Sequence, residues 1–412
     1  MVSVKEQYET YPYPERDPAD EAKRLITGSP SHPLEMDHYL FGGQRDWSKP
    51  LRVLVAGGGT GDGLIQLAQV MTHAGAPYDI TYLDLSAASR QVAEARAKAR
   101  GLTGIRFETG SLLDGPNYGE FDYIDSCGVL HHLPDPAQGF AALRRALAPG
   151  GGFGFMVYAP YGRSGVYPLQ EGFGALFDGL APEARLAAAQ KIVAGLPDGH
   201  PFRSNPNLSD HQASDAGFYD LLLHGQDRAY DVPDLLAELR GADWRLQSFC
   251  TPQLYDLARI APRPEGMEEA TAMAIAEKLT GTIRVHVGYA VPAEDERRIA
   301  KASNRNLVPH LRGVQAQALA QAVAKGKAVP VSSDGVSTRV TLPKAAAPLI
   351  AGINGKRSLA QIAQACRMDT LGFGMAWTPV EKALCGWGLM LYSSLGTWAA
   401  QHSGQKSGQQ KG

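Results

Sequence analysis

The chain has 412 residues, of which 44% are hydrophobic and 20% charged, and its formal net charge is −2. This length suits two or three domains, and the small net charge argues against a general nucleic-acid surface, which would carry a basic excess. No window approaches 18 uninterrupted apolar residues and the first residues form no apolar signal segment, so we expect no membrane span.

Residues 1–49 are polar and rich in proline, and three tyrosines lie between positions 8 and 13. A disordered tail would carry fewer aromatic side chains. We therefore predict an ordered N-terminal cap that folds over the functional pocket as a lid. The alternative is a strap that only packs against the surface.

The segment 51–63 contains an apolar run, Val53 to Ala56, followed by five glycines within the seven positions 57–63. A helical pattern begins at Leu64. A strand, a glycine loop and a helix in this order bring backbone N–H groups close to a bound nucleotide-like cofactor. Glycine is needed because a Cβ would block both the turn and the ligand.

Short β-like runs and helical patterns then alternate, which favours parallel strands covered by helices on both faces of one sheet. The predicted strands are 53–56, 80–83, 105–108, 123–126 and 152–158, and the predicted helices are about 64–74, 86–100 and 135–147. Residues 160–230 are rich in Gly, Pro, Asn and His, which indicates a helical insertion. After a helix at 232–239, the segments 244–250 and 282–291 are expected to add two edge strands, one of them antiparallel.

A charged linker at 293–306 separates this domain from a smaller one at about 307–398. In the small domain we predict strands at 329–331, 338–342 and 389–393 and helices at 343–353, 358–366 and 378–387. The remainder, 399–412, is of low complexity and is predicted to be disordered. The four cysteines form no Cys-x-x-Cys pair, which predicts free thiols in a reducing cytoplasm and no metal site.

Two polar features follow the second and third strands. Asp84 ends the second strand, where a carboxylate can accept hydrogen bonds from both hydroxyls of a ribose. The alternative is that Asp84 caps the helix that begins near Ser86. Ser111 follows the third strand, where its backbone and side chain can contact the edge of an adenine, or can form a simple turn.

At this point the chain resembles the class I S-adenosylmethionine-dependent methyltransferases. The features in common are the glycine loop, Asp84, the Phe-Asp-x-Ile strand from 121, the run Val-Leu-His-His-Leu-x-Asp-Pro from 129 and the Leu-Ala-Pro-Gly-Gly turn from 147. Their order and spacing match closely over about 50–160 and loosely over 50–292. The resemblance implies a doubly wound, seven-stranded Rossmann-like sheet that binds S-adenosylmethionine and releases S-adenosylhomocysteine.

The resemblance also implies the residues that hold this cofactor. Gly57, Gly59 and Gly61 would surround the methionine portion, and Asp84 the ribose. Ser111 and Leu112 would lie beside the adenine, and Gly128 and Leu130 near the sulfonium. The predicted cofactor-binding set is completed by Gly58, Asp62, Leu85 and Cys127.

Two positions depart from the family pattern. Many members have an acidic residue two positions before the first glycine of the loop, where this chain has Val55, and many have Asp where it has Ser111. The methionine ammonium and the adenine amine therefore need other partners, for which backbone carbonyls, Asp62 and Asp114 are the candidates. These departures also raise the alternative of a non-catalytic cofactor-binding or scaffold protein.

Methyl transfer from a sulfonium requires an aligned nucleophile, exclusion of water and, for some acceptors, removal of a proton. His131 and His132 are candidate proton acceptors, and their alternative role is packing at the strand end. A second polar cluster contains His224, Arg228 and Tyr230, which are predicted to contact the acceptor above the methyl group. The structural alternative is that Asp227 and Arg228 are ordinary ion-pair members that hold the insertion to the sheet.

The sequence therefore predicts a methyltransferase for a small-molecule or a peptide or protein acceptor. An NAD-dependent dehydrogenase is the rival, but the His-His-Leu-x-Asp-Pro run fits it poorly. In the small domain, the run Gly-Lys-Arg-Ser-Leu-x-x-Ile from 355 resembles the winged-helix-type, PqqD-like modules that hold peptide substrates. Pairing of two copies of the chain, or scaffolding, is the alternative role of this domain, and it lacks a basic helix for reading DNA.

Overall fold

The computed structural model describes residues 2–396, so the predicted disordered segment 399–412 lies outside the described residues. Its centre is one seven-stranded sheet with the strand order β3-β2-β1-β4-β5-β7-β6. The strands are β1 Leu51–Ala56, β2 Tyr78–Asp84, β3 Ile105–Thr109, β4 Phe121–Cys127, β5 Leu147–Tyr158, β6 Trp244–Phe249 and β7 Val285–Pro292. The predicted mixed α/β sheet of seven strands is confirmed, and β7 is antiparallel to both of its neighbours.

Eleven helices belong to the described chain up to β7. They are α1 Val4–Thr10, α2 Pro33–Leu40, α3 Asp62–Ala74, α4 Ala87–Ala99, α5 Pro136–Arg145, α6 Val166–Leu176, α7 Pro182–Ala194, α8 Asp210–Ala213, α9 Asp215–Leu222, α10 Val232–Gly241 and α11 Glu269–Thr280. The segment 160–230 is helical, as its composition indicates. Helices α1 and α2 are absent from the sequence-based prediction, because helices of seven and eight residues have weak periodicity. Helix α11, which has twelve residues, is absent from it as well.

Both faces of the sheet are buried. Along β1, Val53 and Val55 pack into one apolar cluster while Leu54 and Ala56 pack into another, as the two-residue period of a strand requires. Helices α2 and α3 contribute to the first cluster, and α5 and α10 to the second. This arrangement leaves the carboxyl ends of β1, β2 and β4 free to form a site.

The last described part of the chain has its own apolar core. Its elements are β8 Pro309–Leu311, α12 Ala316–Ala324, β9 Val329–Ser333, β10 Val336–Val340, α13 Ala347–Ala351, α14 Leu359–Ala365, α15 Thr370–Gly386 and β11 Met390–Tyr392. Strands β9 and β10 form an antiparallel hairpin, and β8 pairs with β11. Helix α15 begins eight residues before the predicted helix 378–387. Asp369 caps it and Pro379 lies inside it, whereas a proline more often marks a helix start.

Candidate active site

The glycine loop between β1 and α3 forms one wall of a cavity of about 470 Å³. Gly57 and Gly59 have positive φ angles of 77° and 51°. A Cβ at Gly57 would lie 2.5 Å from the side chain of Val129, and one at Gly58 would lie 2.3 Å from Tyr82. The loop therefore has no room for side chains, and its backbone faces the cavity directly.

Asp84 fixes the shape of this loop. Its Oδ2 accepts a hydrogen bond from the Gly59 N–H at 2.8 Å, and its Oδ1 accepts one from the Ser86 N–H at 2.8 Å. Burial raises the pKa of Asp84, and the two N–H donors act against that rise. Helix α4 is capped by the hydroxyl of Ser86 itself, so Asp84 joins the loop to the start of the helix and also lines the cavity.

Most of the predicted cofactor-binding residues meet at this cavity. Those that line it are Gly57, Gly58, Gly59, Asp62, Asp84, Leu85, Ser111, Leu112, Cys127 and Gly128. Gly61 and Leu130 are outside the lining. A Cβ on Gly61 would lie 2.9 Å from that of Ala93 on helix α4, so this glycine permits helix packing. Leu130 is fully buried in an apolar cluster.

Asp62 is held by two arginines and is a poor candidate for the methionine ammonium. Its carboxylate is 2.7 Å from Arg16 and 2.8 Å from Arg96, both measured to guanidinium nitrogens. Burial opposes ionisation of Asp62, but these two cations outweigh it and lower its pKa. The other proposed partner, Asp114, is exposed and is not part of the cavity lining.

The N-terminal segment closes one side of the cavity through Tyr8, Tyr13 and Arg16. The Tyr8 hydroxyl donates to Asp220 at 2.8 Å, and the Thr60 hydroxyl donates to the carbonyl of Pro14 at 2.6 Å. The segment is thus a wall of the cavity, as a lid would be. It is also hydrogen-bonded to α9 and to the glycine loop, as a packing strap would be.

Three histidines pack together at the other end of the cavity. His132 lines the cavity, and its ring stacks on that of His224 with centroids 3.7 Å apart. His131 lies behind His132, with a centroid distance of 4.1 Å, and does not line the cavity. Burial lowers the pKa of His131 and of His224 well below the ordinary histidine value, so both rings are neutral near pH 7.

One peptide segment fixes the hydrogen positions on two of these rings. His132 Nδ1 is 2.8 Å from the carbonyl oxygen of Gln226, which can only accept, so Nδ1 carries the hydrogen. The backbone N–H of Gln226 donates to His224 Nδ1 at 3.1 Å, so the hydrogen of that neutral ring is on Nε2. In its neutral form His132 therefore presents an unprotonated Nε2, and this buried atom has no hydrogen-bond partner among the described residues.

Asp220 lies beside this histidine pair and is not among the residues selected from the sequence. Its carboxylate accepts hydrogen bonds from the hydroxyls of Tyr8 and Tyr158, at 2.8 Å and 3.0 Å. Burial raises the pKa of Asp220, while His132 and the two hydroxyls oppose the rise. The sequence signal that could have identified Asp220 is a single acid directly before the apolar run 221–223. Burying such a carboxylate costs free energy, so its place in an apolar run indicates a function.

Arg228 and Tyr230, predicted to contact the acceptor, lie outside the cavity lining. The Arg228 guanidinium is half exposed, 3.4 Å from Glu238 and above the Tyr230 ring, and the Tyr230 side chain is buried in the core. The arginine at the cavity is Arg163, which forms a buried ion pair with Asp227 at 3.2 Å. Asp227 therefore has the predicted structural role of an ion-pair member. Its partner is Arg163, while Arg228 pairs with Glu238.

His132, His224 and Asp220 have potential metal-ligand atoms within 4.8 Å of one another. Their geometry favours proton transfer over metal binding for two reasons. The two imidazole planes differ by only 19°, so their in-plane lone pairs do not converge on one point. In addition, Nε2 of neutral His224 carries a hydrogen and faces the Tyr8 hydroxyl at 3.3 Å.

Comparison with known proteins identifies the domain that carries this site. Residues 54–153 match the family model of the methyltransferase domain, which covers the glycine loop and the chain from β1 into β5. The chain is 34% identical over 197 residues to an uncharacterized protein of Synechococcus, which is 46% of each chain. It is 36% identical over 94 residues to the ubiquinone biosynthesis O-methyltransferase of Methylococcus capsulatus, which is 23% of this chain and 38% of that one. The chain thus spans less than half the length of these curated relatives.

Among solved structures, the chain is similar to PKMT2 from Rickettsia typhi, with a TM-score of 0.63 and 14% identity over 90% of this chain and 77% of that one. The same protein in complex with AdoHcy gives a TM-score of 0.60 at 13% identity, over 90% and 76% of the two chains. This likeness shows that the fold is shared along nearly the whole chain. Together with the family match, it establishes that the chain carries a methyltransferase domain.

Proposed function

We propose that this methyltransferase domain binds S-adenosylmethionine and transfers its methyl group to a protic acceptor held beside His132. The observation that carries the proposal is that the glycine loop and the His132 side chain, whose Nε2 has no hydrogen-bond partner among the described residues, belong to one cavity. The match to the methyltransferase domain, the AdoHcy complex of PKMT2 and the O-methyltransferase named among the relatives support it.

The residues of the cavity fit this cofactor. The loop at Gly57 and Gly58 packs against Val129 and Tyr82 without a Cβ, so its backbone lines the cavity and a nucleoside-bearing ligand can approach it closely. Each oxygen of Asp84 accepts one backbone N–H and keeps a lone pair for a ribose hydroxyl. Ser111 and Leu112 would hold the adenine side. When bound, the sulfonium supplies a methyl group that is already activated for displacement.

His132 is the residue that this chain provides for the acceptor proton. Its Nδ1–H is bonded to the Gln226 carbonyl, so its Nε2 can accept a proton from an acceptor O–H or N–H. The ring would then be an imidazolium next to the carboxylate of Asp220, whose negative charge stabilises it. His131 and His224 surround this ring and hold its orientation.

This arrangement suits an acceptor that loses a proton. Among such acceptors we propose a hydroxyl, because one of the relatives is named as an O-methyltransferase.

No helix within the described residues 2–396 is long and apolar enough to cross a membrane. The turn of the β9–β10 hairpin contacts the cavity wall from outside, since Asp334 pairs with the cavity residue Arg284 at 3.1 Å. No residue of the described part 307–396 lines the cavity itself, so this ion pair supports a role of the small domain in fixing the position of Arg284.

The proposal is tested with labelled S-adenosylmethionine and a lysate separated into small-molecule and macromolecular fractions. We expect His132→Ala to reduce methyl transfer by about 10² to 10⁴-fold, the usual contribution of a general base. Its calorimetric affinity for S-adenosylhomocysteine should stay within about threefold of the parent value, since His132 is on the acceptor side. His73→Ala, at an exposed position, is the matched control. Unchanged transfer by His132→Ala would exclude it as the base, and a parent protein that binds no S-adenosylhomocysteine would refute the proposed function.

A further inference from the structure

Asp125 is a buried carboxylate in the wall of the cofactor cavity, and no ion pair among the described residues includes it. It lies in β4, it is only 2% exposed, and it lines the cavity together with Gly63. The cations nearest the glycine loop, Arg16 and Arg96, both pair with Asp62. An ionised carboxylate in such a place needs a positive partner.

The position of Asp125 in the sheet indicates which partner is missing. Strands β1 and β4 are parallel neighbours, and their register pairs Val55 with Asp125. Paired residues of adjacent strands point to the same face of the sheet. Val55 is also the position where similar methyltransferases have an acidic residue, so this chain has a carboxylate at the same level of the sheet, one strand away.

The surroundings of Asp125 keep one side of it accessible. The Tyr123 hydroxyl is 3.4 Å from Oδ2, and Ser31 donates a further hydrogen bond. A Cβ built on Gly63 would be 2.5 Å from the Ser31 hydroxyl, so glycine lets Ser31 lie close enough to donate to Asp125, while Asp125 itself is part of the cavity lining. Burial raises the pKa of Asp125 to about 6, although the two hydrogen bonds oppose the rise. The carboxyl group thus lacks the cation that would hold it ionised.

We propose that Asp125 binds the α-ammonium of the methionine portion of the cofactor, and so does the work of the acidic side chain absent at Val55. This inference rests on the proposed function, and it names the ammonium partner that the glycine loop and Asp62 do not supply. The ammonium would complete an ion pair inside the cavity, which makes Asp125 specific for ligands that carry the amino-acid portion.

Two ligands separate this role from a general effect on the cavity. S-adenosylhomocysteine carries the ammonium, whereas 5′-methylthioadenosine has the same nucleoside and sulfur but no amino-acid portion. By titration calorimetry, we expect Asp125→Asn to weaken S-adenosylhomocysteine at least tenfold and to change the affinity for 5′-methylthioadenosine by less than about twofold. Asp79→Asn, which removes an exposed carboxylate near the opposite, amino end of β2 and outside the cavity lining, should change neither.

Equal losses for both ligands would show that Asp125 only supports the cavity, and unchanged binding of S-adenosylhomocysteine would show that the ammonium lies elsewhere. Either result overturns the assignment of Asp125 but leaves the proposed function unaffected. The proposed function is refuted by a different result, which is a parent protein that binds neither ligand. Val55→Asp added to Asp125→Asn returns a carboxylate to the neighbouring strand and should restore part of the preference for S-adenosylhomocysteine. If circular dichroism shows that Asp125→Asn is unfolded, Asp125→Ser replaces it in both titrations.

Discussion

Asp125 also has a consequence for the protein without ligand, because a buried carboxylate with no cation destabilises the fold when it ionises. The titratable groups that act on it or are acted on by it are Tyr123, Glu35, Cys127 and Tyr289. None of them is cationic. The binding residue therefore lowers the stability of the empty protein, a cost that functional sites often carry.

We expect Asp125→Asn to stabilise the ligand-free protein, and the gain to depend on pH. The folded-state pKa of about 6 is above the ordinary value of 3.8. Below about pH 3 the group is protonated in both the folded and the unfolded state, so the variant gains nothing. The gain grows between about pH 4 and pH 6, where the carboxyl group is ionised in the unfolded state but still protonated in the folded state, and it then stays at about 2 to 3 kcal/mol up to pH 8. Urea unfolding of both proteins at about pH 3 and about pH 8 measures it, and a gain of equal size at both would contradict the account.

The sequence alone could assign some residues to the candidate site but not others. The glycines and Asp84 could be placed, because a strand, loop and helix are contiguous and their geometry is local. Asp125 and Asp220 could not be placed, because their roles depend on chain segments far away in sequence, such as Val55 in the adjacent strand and Tyr8 in the N-terminal helix. Tyr230 shows the opposite error. It is close in sequence to the other residues of the predicted polar cluster, but the fold buries its side chain in the core.

At the scale of elements, the N-terminal segment is joined to α3 and α4 by a network of charges. Glu21 accepts hydrogen bonds from Arg96 at 2.6 Å and from Arg100, and Arg96 also contacts Asp62 at 2.8 Å. The side chains of Glu21 and Arg96 are 4% and 1% exposed. Removing one partner of such a pair leaves a buried charge that water cannot reach.

We therefore expect Glu21→Ala to lower the free energy of unfolding by about 3 kcal/mol, because the buried Arg96 would keep Asp62 as a partner but lose its second carboxylate, and Arg100 would lose its ion pair with Glu21. Guanidinium unfolding followed by circular dichroism measures the loss. The adjacent Asp20 pairs with Lys23 in full exposure to solvent, so Asp20→Ala is the control and should leave the midpoint unchanged. Equal effects of the two substitutions would show that the network has no special importance.

The elements that the sequence predicted well share one property, which is that a continuous pattern lies within each of them. Strands β1 to β5 and helices α3 to α5 have clear periodicity and turn residues between them. Helix α2 is absent from the prediction because all of its residues from Pro33 to Leu40 are buried, including four that are charged or titratable, so it has no polar face. Its amphipathic signal is missing because it is covered on more than one side.

For the molecule as a whole, α2 is the joint between the sheet and the small domain. Glu35 forms an ion pair with Arg312, which follows β8. Asp37 accepts hydrogen bonds from the Ser393 hydroxyl and the Ser394 N–H, at 2.7 Å and 2.8 Å. Deletion of 307–396 would thus take the Arg312 cation from the buried Glu35 and two hydrogen-bond donors from Asp37, so a loss of activity after that deletion would not by itself identify a recruiting module.

Substitution of Arg312 tests this joint without removing the domain. We expect Arg312→Met to destabilise the protein by about 3 to 5 kcal/mol, since Glu35 is then buried without its cation. Glu35→Gln in the same chain should recover part of the loss, and thermal unfolding of the two single variants and the double variant measures the coupling. Arg298→Met, at an exposed site of the same segment, is the control. Strictly additive losses would mean that the two side chains do not depend on each other.

The wall that residues 4–16 add to the cavity has a kinetic consequence. We expect this wall to move during ligand exchange, which would break the Tyr8–Asp220 hydrogen bond and the Arg16–Asp62 ion pair. Release of the spent nucleoside, and not the chemical displacement, can then limit turnover. Because dissolved ions weaken a partly exposed ion pair, raising the ionic strength would speed that release while leaving the reacting atoms in place.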